Sequence, residues 1–138
     1  MAWLLVPFVL LWALVRMPAW INDFRLARMV ERVEEYPRLP GTSPGSFDPQ
    51  VQIGGDSGDC WYTIRFDLNV HLSVEQVLDY YRQAKIEDPD GDLGDYSVSA
   101  WAVVDEPGDE AEAASSPGSL IIDLDGTFNG GLMDLRCL

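Results

Sequence analysis

The 138 residues carry 23 acidic side chains, 9 basic ones and a single histidine, a formal net charge of −14 at pH 7. So acidic a chain repels nucleic acid phosphates, which sets DNA and RNA aside as partners. Cys60 and Cys137 fit no zinc-ligand spacing, and His71 has no companions at the spacing of a histidine-based triad.

The charge is lopsided. Residues 1–40 hold five arginines and four acids, whereas residues 41–138 hold four basic side chains and nineteen acids. The basic end coincides with the apolar end. Residues 2–15 are an unbroken apolar run, Arg16 interrupts it, and residues 17–21 extend it. Twenty residues of helix span about 30 Å, the thickness of a bilayer core. Arg16 lies near one end of the run, where a long side chain snorkels to the headgroups. Trp3 and Trp20 stand near the two ends, as in an aromatic belt. A signal peptide fits less well, because the run has neither a basic segment before it nor a small-residue cleavage site after it. Residues 1–21 therefore read as a transmembrane anchor, with the lipid bilayer as partner.

Residues 22–36 repeat Leu26, Met29, Val30 and Val33 at helical spacing, so a second helix is expected. Arg25, Arg28 and Arg32 share a side of it and are placed to meet lipid phosphates or simply to solvate a stalk. Residues 37–58 alternate Pro37, Pro40, Pro44 and Pro49 with Gly41, Gly45, Gly54, Gly55 and Gly58, the composition of a linker. A short edge strand around residues 50–53 fits within it. Residues 22–58 are thus assigned to a juxtamembrane helix and linker, and residues 59–138 to the folded domain. A fragment of residues 41–138 is expected to fold and stay soluble by itself.

The domain is organised around one strand and one helix. Cys60, Tyr62, Ile64, Phe66, Leu68 and Val70 alternate with Trp61, Thr63, Arg65, Asp67, Asn69 and His71, which makes a strand with one apolar and one polar face. Ser73 and Gln76 have capping-box spacing, and Val74, Val77, Leu78 and Tyr81 form the apolar stripe of the helix that follows. Residues 96–105 read as a second strand, 106–118 as a loop, 120–125 as a third strand and 132–137 as a closing strand. Asp125-Gly126 and Gly130-Gly131 are turn signals. The expectation is an α+β fold, one helix packed on an antiparallel sheet of about four strands.

Four features carry candidate chemistry. Residues 119–128, SLIIDLDGTF, resemble the first motif of the haloacid dehalogenase phosphatases. That resemblance implies Asp123 as nucleophile and Asp125 as acid/base, with magnesium assisting. Only ten residues follow Phe128, too few to supply the rest of such a site, so a hairpin with both carboxylates facing water is the better reading. Asp88, Asp90, Asp92 and Asp95 place oxygens at nearly alternate positions, as a calcium loop does. Counted from Asp88, however, Leu93 and Ser99 stand where an EF-hand needs Gly and Glu, so a solvated acidic turn is preferred. Trp61 and Trp101 fall on the polar face of the sheet and would form an aromatic partner surface if adjacent. Cys60 and Cys137 fall on the opposite face and would reach disulfide distance if their strands are neighbours.

The layout also resembles small single-pass membrane-anchored proteins of actinomycete bacteria. It is carried by the N-terminal helix, Leu39-Pro40-Gly41, the cysteine-bearing strand from Cys60, and Val77-Leu78-Asp79-Tyr80-Tyr81-Arg82, while the Gly-Trp that often follows the helix in that group is missing. The resemblance implies an extracytoplasmic domain and names no activity. The arginines after the apolar run favour the opposite orientation by the positive-inside rule. A Cys60–Cys137 disulfide would favour the outside. The expected function is non-catalytic, a binding, scaffolding or accessory domain of the bacterial envelope. The alternatives are a small subunit of a membrane or envelope protein complex and a magnesium-dependent phosphatase. No cofactor and no resident metal are expected.

Overall fold

A computed structural model describes residues 2–57, 59–103, 118–131 and 134–138. After a 3-10 turn at Ala2–Leu4, helix α1 runs over Leu5–Glu35. Then come β1 (Thr42–Pro44), β2 (Gln50–Asp56), β3 (Asp59–Val70), α2 (Val74–Gln83), β4 (Ser97–Ala102), β5 (Gly118–Phe128) and a 3-10 turn at Leu135–Cys137.

β3 is the axis of a five-stranded sheet of order β1-β3-β5-β4, all pairs antiparallel. β2 pairs with the first half of β3 and β1 with its far end, along the same edge. The alternation of β3 sets its faces as expected: Cys60, Tyr62, Ile64, Phe66, Leu68 and Val70 are all buried. β5 lies beside β3 from Cys60↔Phe128 to Val70↔Gly118 and adds Leu120, Ile122 and Leu124 to the same core. α2 begins at Ser73 with the capping box formed, its side chain accepting from the Gln76 amide while Gln76 reaches back to the Ser73 amide. Val77 and Tyr81 are buried, whereas Val74 is exposed and Leu78 only half-buried, so the stripe is narrower than its spacing implied.

Three boundaries differ from the sequence reading. First, α1 is one helix, not two, continuing through Pro18. Its second half packs on the sheet: Asn22, Leu26, Met29 and Val33 are buried, and the three apolar ones share one core with the β3 and β5 residues. Length is the physical reason. A 12-residue strand extends about 40 Å and a 10-residue helix about 15 Å, so α2 leaves most of the apolar face to be covered by something else. The folded unit therefore begins at Asn22 rather than residue 59, the supposed linker supplies β1 and β2, and a fragment starting at residue 41 would lack Leu26, Met29 and Val33 from its core.

Second, Asp125-Gly126 is not a turn, because β5 continues to Phe128 with Gly126 opposite Tyr62. A Cβ on Gly126 would lie 2.4 Å from the Tyr62 hydroxyl oxygen, so glycine is there to let the Tyr62 ring cross the strand. Third, the described part of the closing strand is the Leu135–Cys137 turn, whose Asp134 cap accepts from the Arg136 amide. Leu132 and Met133 of that expected strand, Val104 and Asp105 of the second, and the expected loop up to Pro117 lie outside the described residues.

Candidate functional site

The polar face of the sheet carries the phosphatase-like acids. Register sets Arg65 opposite Asp123 and Thr63 opposite Asp125. Arg65 donates from Nε and Nη2 to the two oxygens of Asp123 at 2.8 and 2.7 Å, a bidentate pair. Its guanidinium also lies 5.0 Å from the centre of the Trp101 ring. Asp125 accepts from the Thr63 hydroxyl. The carboxylates expected to face water are therefore partnered, and Asp123 is buried. A carboxylate with both oxygens held by a guanidinium is a poor nucleophile, and the surrounding sheet is antiparallel.

Trp61 and Trp101 are both on this face and 45% and 41% exposed, but they do not meet. Trp61 stands opposite Thr127 of β5 and Trp101 opposite Ile121, six residues apart along the strand. A Cβ on Gly54 would collide with the Trp61 ring at 2.3 Å, so that ring lies flat along β2 rather than toward Trp101. The single aromatic patch is not formed, because the two residues sit near opposite ends of β5.

On the other face, Cys60 and Cys137 form the disulfide, with Cα atoms 4.9 Å apart and both residues fully buried. Asp134 lies within reach of the two sulfurs, but bonded sulfurs offer no metal ligands. Instead Asp134 takes part in a clasp on α1. It accepts from Asn22 Nδ2 at 2.8 Å and from Arg136 Nε and Nη2 at 2.9 and 2.7 Å. Arg136 continues to Asp23 and to the Ala19 carbonyl, and Asn22 also donates to the Gly130 carbonyl. The Arg136 guanidinium beside Asp134 holds its carboxyl down at about 2. The clasp grips α1 where its apolar run ends.

The arginines after that run are likewise tied to protein. Arg25 donates to the carbonyls of Pro89 and Asn129 and pairs with Asp90, and Arg32 donates to the carbonyls of Glu87 and Asp88. Arg28 pairs with Glu31. Two of the three side chains expected to meet lipid phosphates or to solvate a stalk thus hold the α2–β4 loop instead.

That loop is the third feature. Asp88 is buried and accepts the Asp90 and Asp92 amides on Oδ1, at 2.9 and 2.8 Å. One carboxylate oxygen each from Asp88, Asp92 and Asp95 lie within 4.8 Å of one another. The Tyr62 hydroxyl, which lies over Gly126 of β5, is buried and is the one such side-chain polar atom without a hydrogen-bond partner among the described residues. Burial, with a smaller contribution from the negative charges of Asp88 and Asp95, pushes the Tyr62 hydroxyl well above the usual tyrosine range. No sequence signal announced Tyr62; the clue was Gly126, read as part of a turn.

Comparison with known proteins returned no matching family model, no matching curated protein and no matching solved structure.

Proposed function

We propose that the chain is a single-pass membrane protein whose disulfide-closed α+β domain stands outside the cytoplasm and serves a non-catalytic binding, scaffolding or accessory role. The observation that carries this reading is the change of environment along α1. The helix is long and apolar enough to cross a membrane. From Leu5 to Ile21 its large apolar side chains stand exposed, and from Asn22 onward one stripe of it is buried in the domain. So long an apolar surface, interrupted only by Arg16 near its end, suits lipid rather than water.

The outside orientation is favoured by the disulfide, since such bonds persist in oxidising compartments and are rare in the cytoplasm. The opposing signal, the arginines after the span, has a structural explanation in Arg25 and Arg32, which fasten the α2–β4 loop. The resemblance to actinomycete membrane-anchored proteins points the same way as the disulfide. A non-catalytic role is favoured over a phosphatase by the engagement of Asp123 with Arg65 and of Asp125 with Thr63. A docked membrane or envelope protein would find Trp61 and Trp101 as two separate footholds.

Alkaline carbonate extraction of membranes from expressing cells tests the anchor. The full chain is expected in the pellet and in solution only after detergent is added. Release by carbonate alone would mean that the apolar half of α1 is covered by protein instead of lipid.

A further inference from the structure

We propose that Asp88, Asp92 and Asp95 form a calcium-binding site at the α2–β4 loop, with the Tyr62 hydroxyl as its buried floor. The inference does not rest on membrane anchoring or orientation. The three carboxylates converge with oxygens no more than 4.8 Å apart. Oxygens on opposite sides of a calcium ion stand about 5 Å apart, twice the metal–oxygen distance of roughly 2.3–2.6 Å. Three oxygens at that spacing stand at most about 2.8 Å from a common centre, so a shift of a few tenths of an ångström in the exposed side chains brings all three onto one ion. Asp88 is committed to the loop through Oδ1, and neither of those hydrogen bonds uses Oδ2. Asp92 and Asp95 are exposed and free to adjust around an ion that tolerates irregular geometry.

Beside the three carboxylates, the protein holds a second polar feature, the buried Tyr62 hydroxyl without a hydrogen-bond partner. That hydroxyl lies over Gly126 on β5. Gly126 lies one residue beyond the last β4–β5 pair, Ser97↔Asp125, so the hydroxyl sits over β5 at the end of the sheet where residues 95 and 96 lead into β4. Buried hydroxyls ordinarily have partners, and an orphan calls for a bound water or ion nearby. A cation hydrated on its inner side gives the hydroxyl a water to bond, and the same cation relieves the repulsion among three close carboxylates. Arg25 and Arg32 do not already fill that role, because they hold the loop through the carbonyls of Glu87, Asp88 and Pro89 and through Asp90.

The test is calorimetric titration of calcium chloride into the full chain in mild detergent, at roughly 0.15 M salt to screen diffuse charge. One ion per chain is expected, with a dissociation constant on the order of 10⁻⁴–10⁻³ M, the range of sites with few charged ligands. Asp92→Asn together with Asp95→Asn should weaken it about tenfold or more, while Asp56→Asn with Asp59→Asn, on the β2–β3 hairpin, should leave it unchanged. Both pairs are exposed, and circular dichroism confirms that each variant folds. A readout that needs no variant is the Tyr62 ring resonance in isotope-labelled protein, which should shift in step with occupancy. No saturable binding, equal weakening in both double variants, or a Tyr62 resonance indifferent to calcium would each overturn the site.

Discussion

Asp134→Asn should loosen the clasp that closes the C-terminus onto α1, and its effect should depend on pH in a defined direction. The Asp134 carboxyl is depressed from an ordinary 3.8 to about 2, chiefly by Arg136, with Asn22 adding a further hydrogen bond. A folded-state value below the unfolded one stabilises the fold above the unfolded value. That stabilisation is lost as pH falls from about 4 toward 2. The shift corresponds to roughly 2 kcal/mol at neutral pH. The side chain of Asp134 is inaccessible, but that of Arg136 is 34% exposed, so solvent screening lowers the figure to about 1–2 kcal/mol. Denaturant unfolding of the full chain in detergent, followed by near-ultraviolet circular dichroism, reads it out. At pH 7 the variant should be less stable by that amount, and by pH 2 the two curves should nearly coincide. Comparing the two proteins cancels the many other carboxylates that titrate in the same window. Equal stability at pH 7, or a gap that persists at pH 2, would refute the reasoning.

Phe66→Ala, at a buried core position, should cost about 3–5 kcal/mol, and Leu78→Ala, only half-buried, about 1–2, as measured by the same unfolding. Equal losses would mean that α2 sits deeper on the sheet than described. Reducing the disulfide should cost about 4–5 kcal/mol in the chain-entropy model for a separation of 77 residues, and thermal melts with and without reductant measure it. Asp123→Asn should lower the melting temperature, since Asn offers Arg65 one oxygen instead of two; an unchanged melt would return Asp123 to the status of an idle surface acid.

Much of the fold was legible because β3 and α2 obey strong local rules. Twelve alternating residues leave little doubt about faces, and the Ser73–Gln76 box fixes where α2 starts. The destination of the Leu26–Met29–Val33 stripe was not legible, since a stripe does not say what it will meet, and the apolar run before it drew the whole helix toward the membrane. Asp125-Gly126 misled because glycine serves both turns and close approaches, and only the cross-strand register, Gly126 opposite Tyr62, distinguishes them. The same register makes the Arg65–Asp123 pair, which no local pattern encodes. The Cys60–Cys137 pairing was foreseen for the right face but the wrong element, because Cys137 arrives on a 3-10 turn held by Asp134 and not on a strand.

The central claim is an anchored domain, closed by a disulfide, outside the cytoplasm. Thiol labelling of intact cells with a membrane-impermeant maleimide, with and without prior reduction, tests it most directly. Under this account Cys60 and Cys137 stay unlabelled in untreated cells and react after an external reductant, without lysis. Two thiols that react only after lysis, and without any reductant, would place the domain in the cytoplasm and remove the bridge.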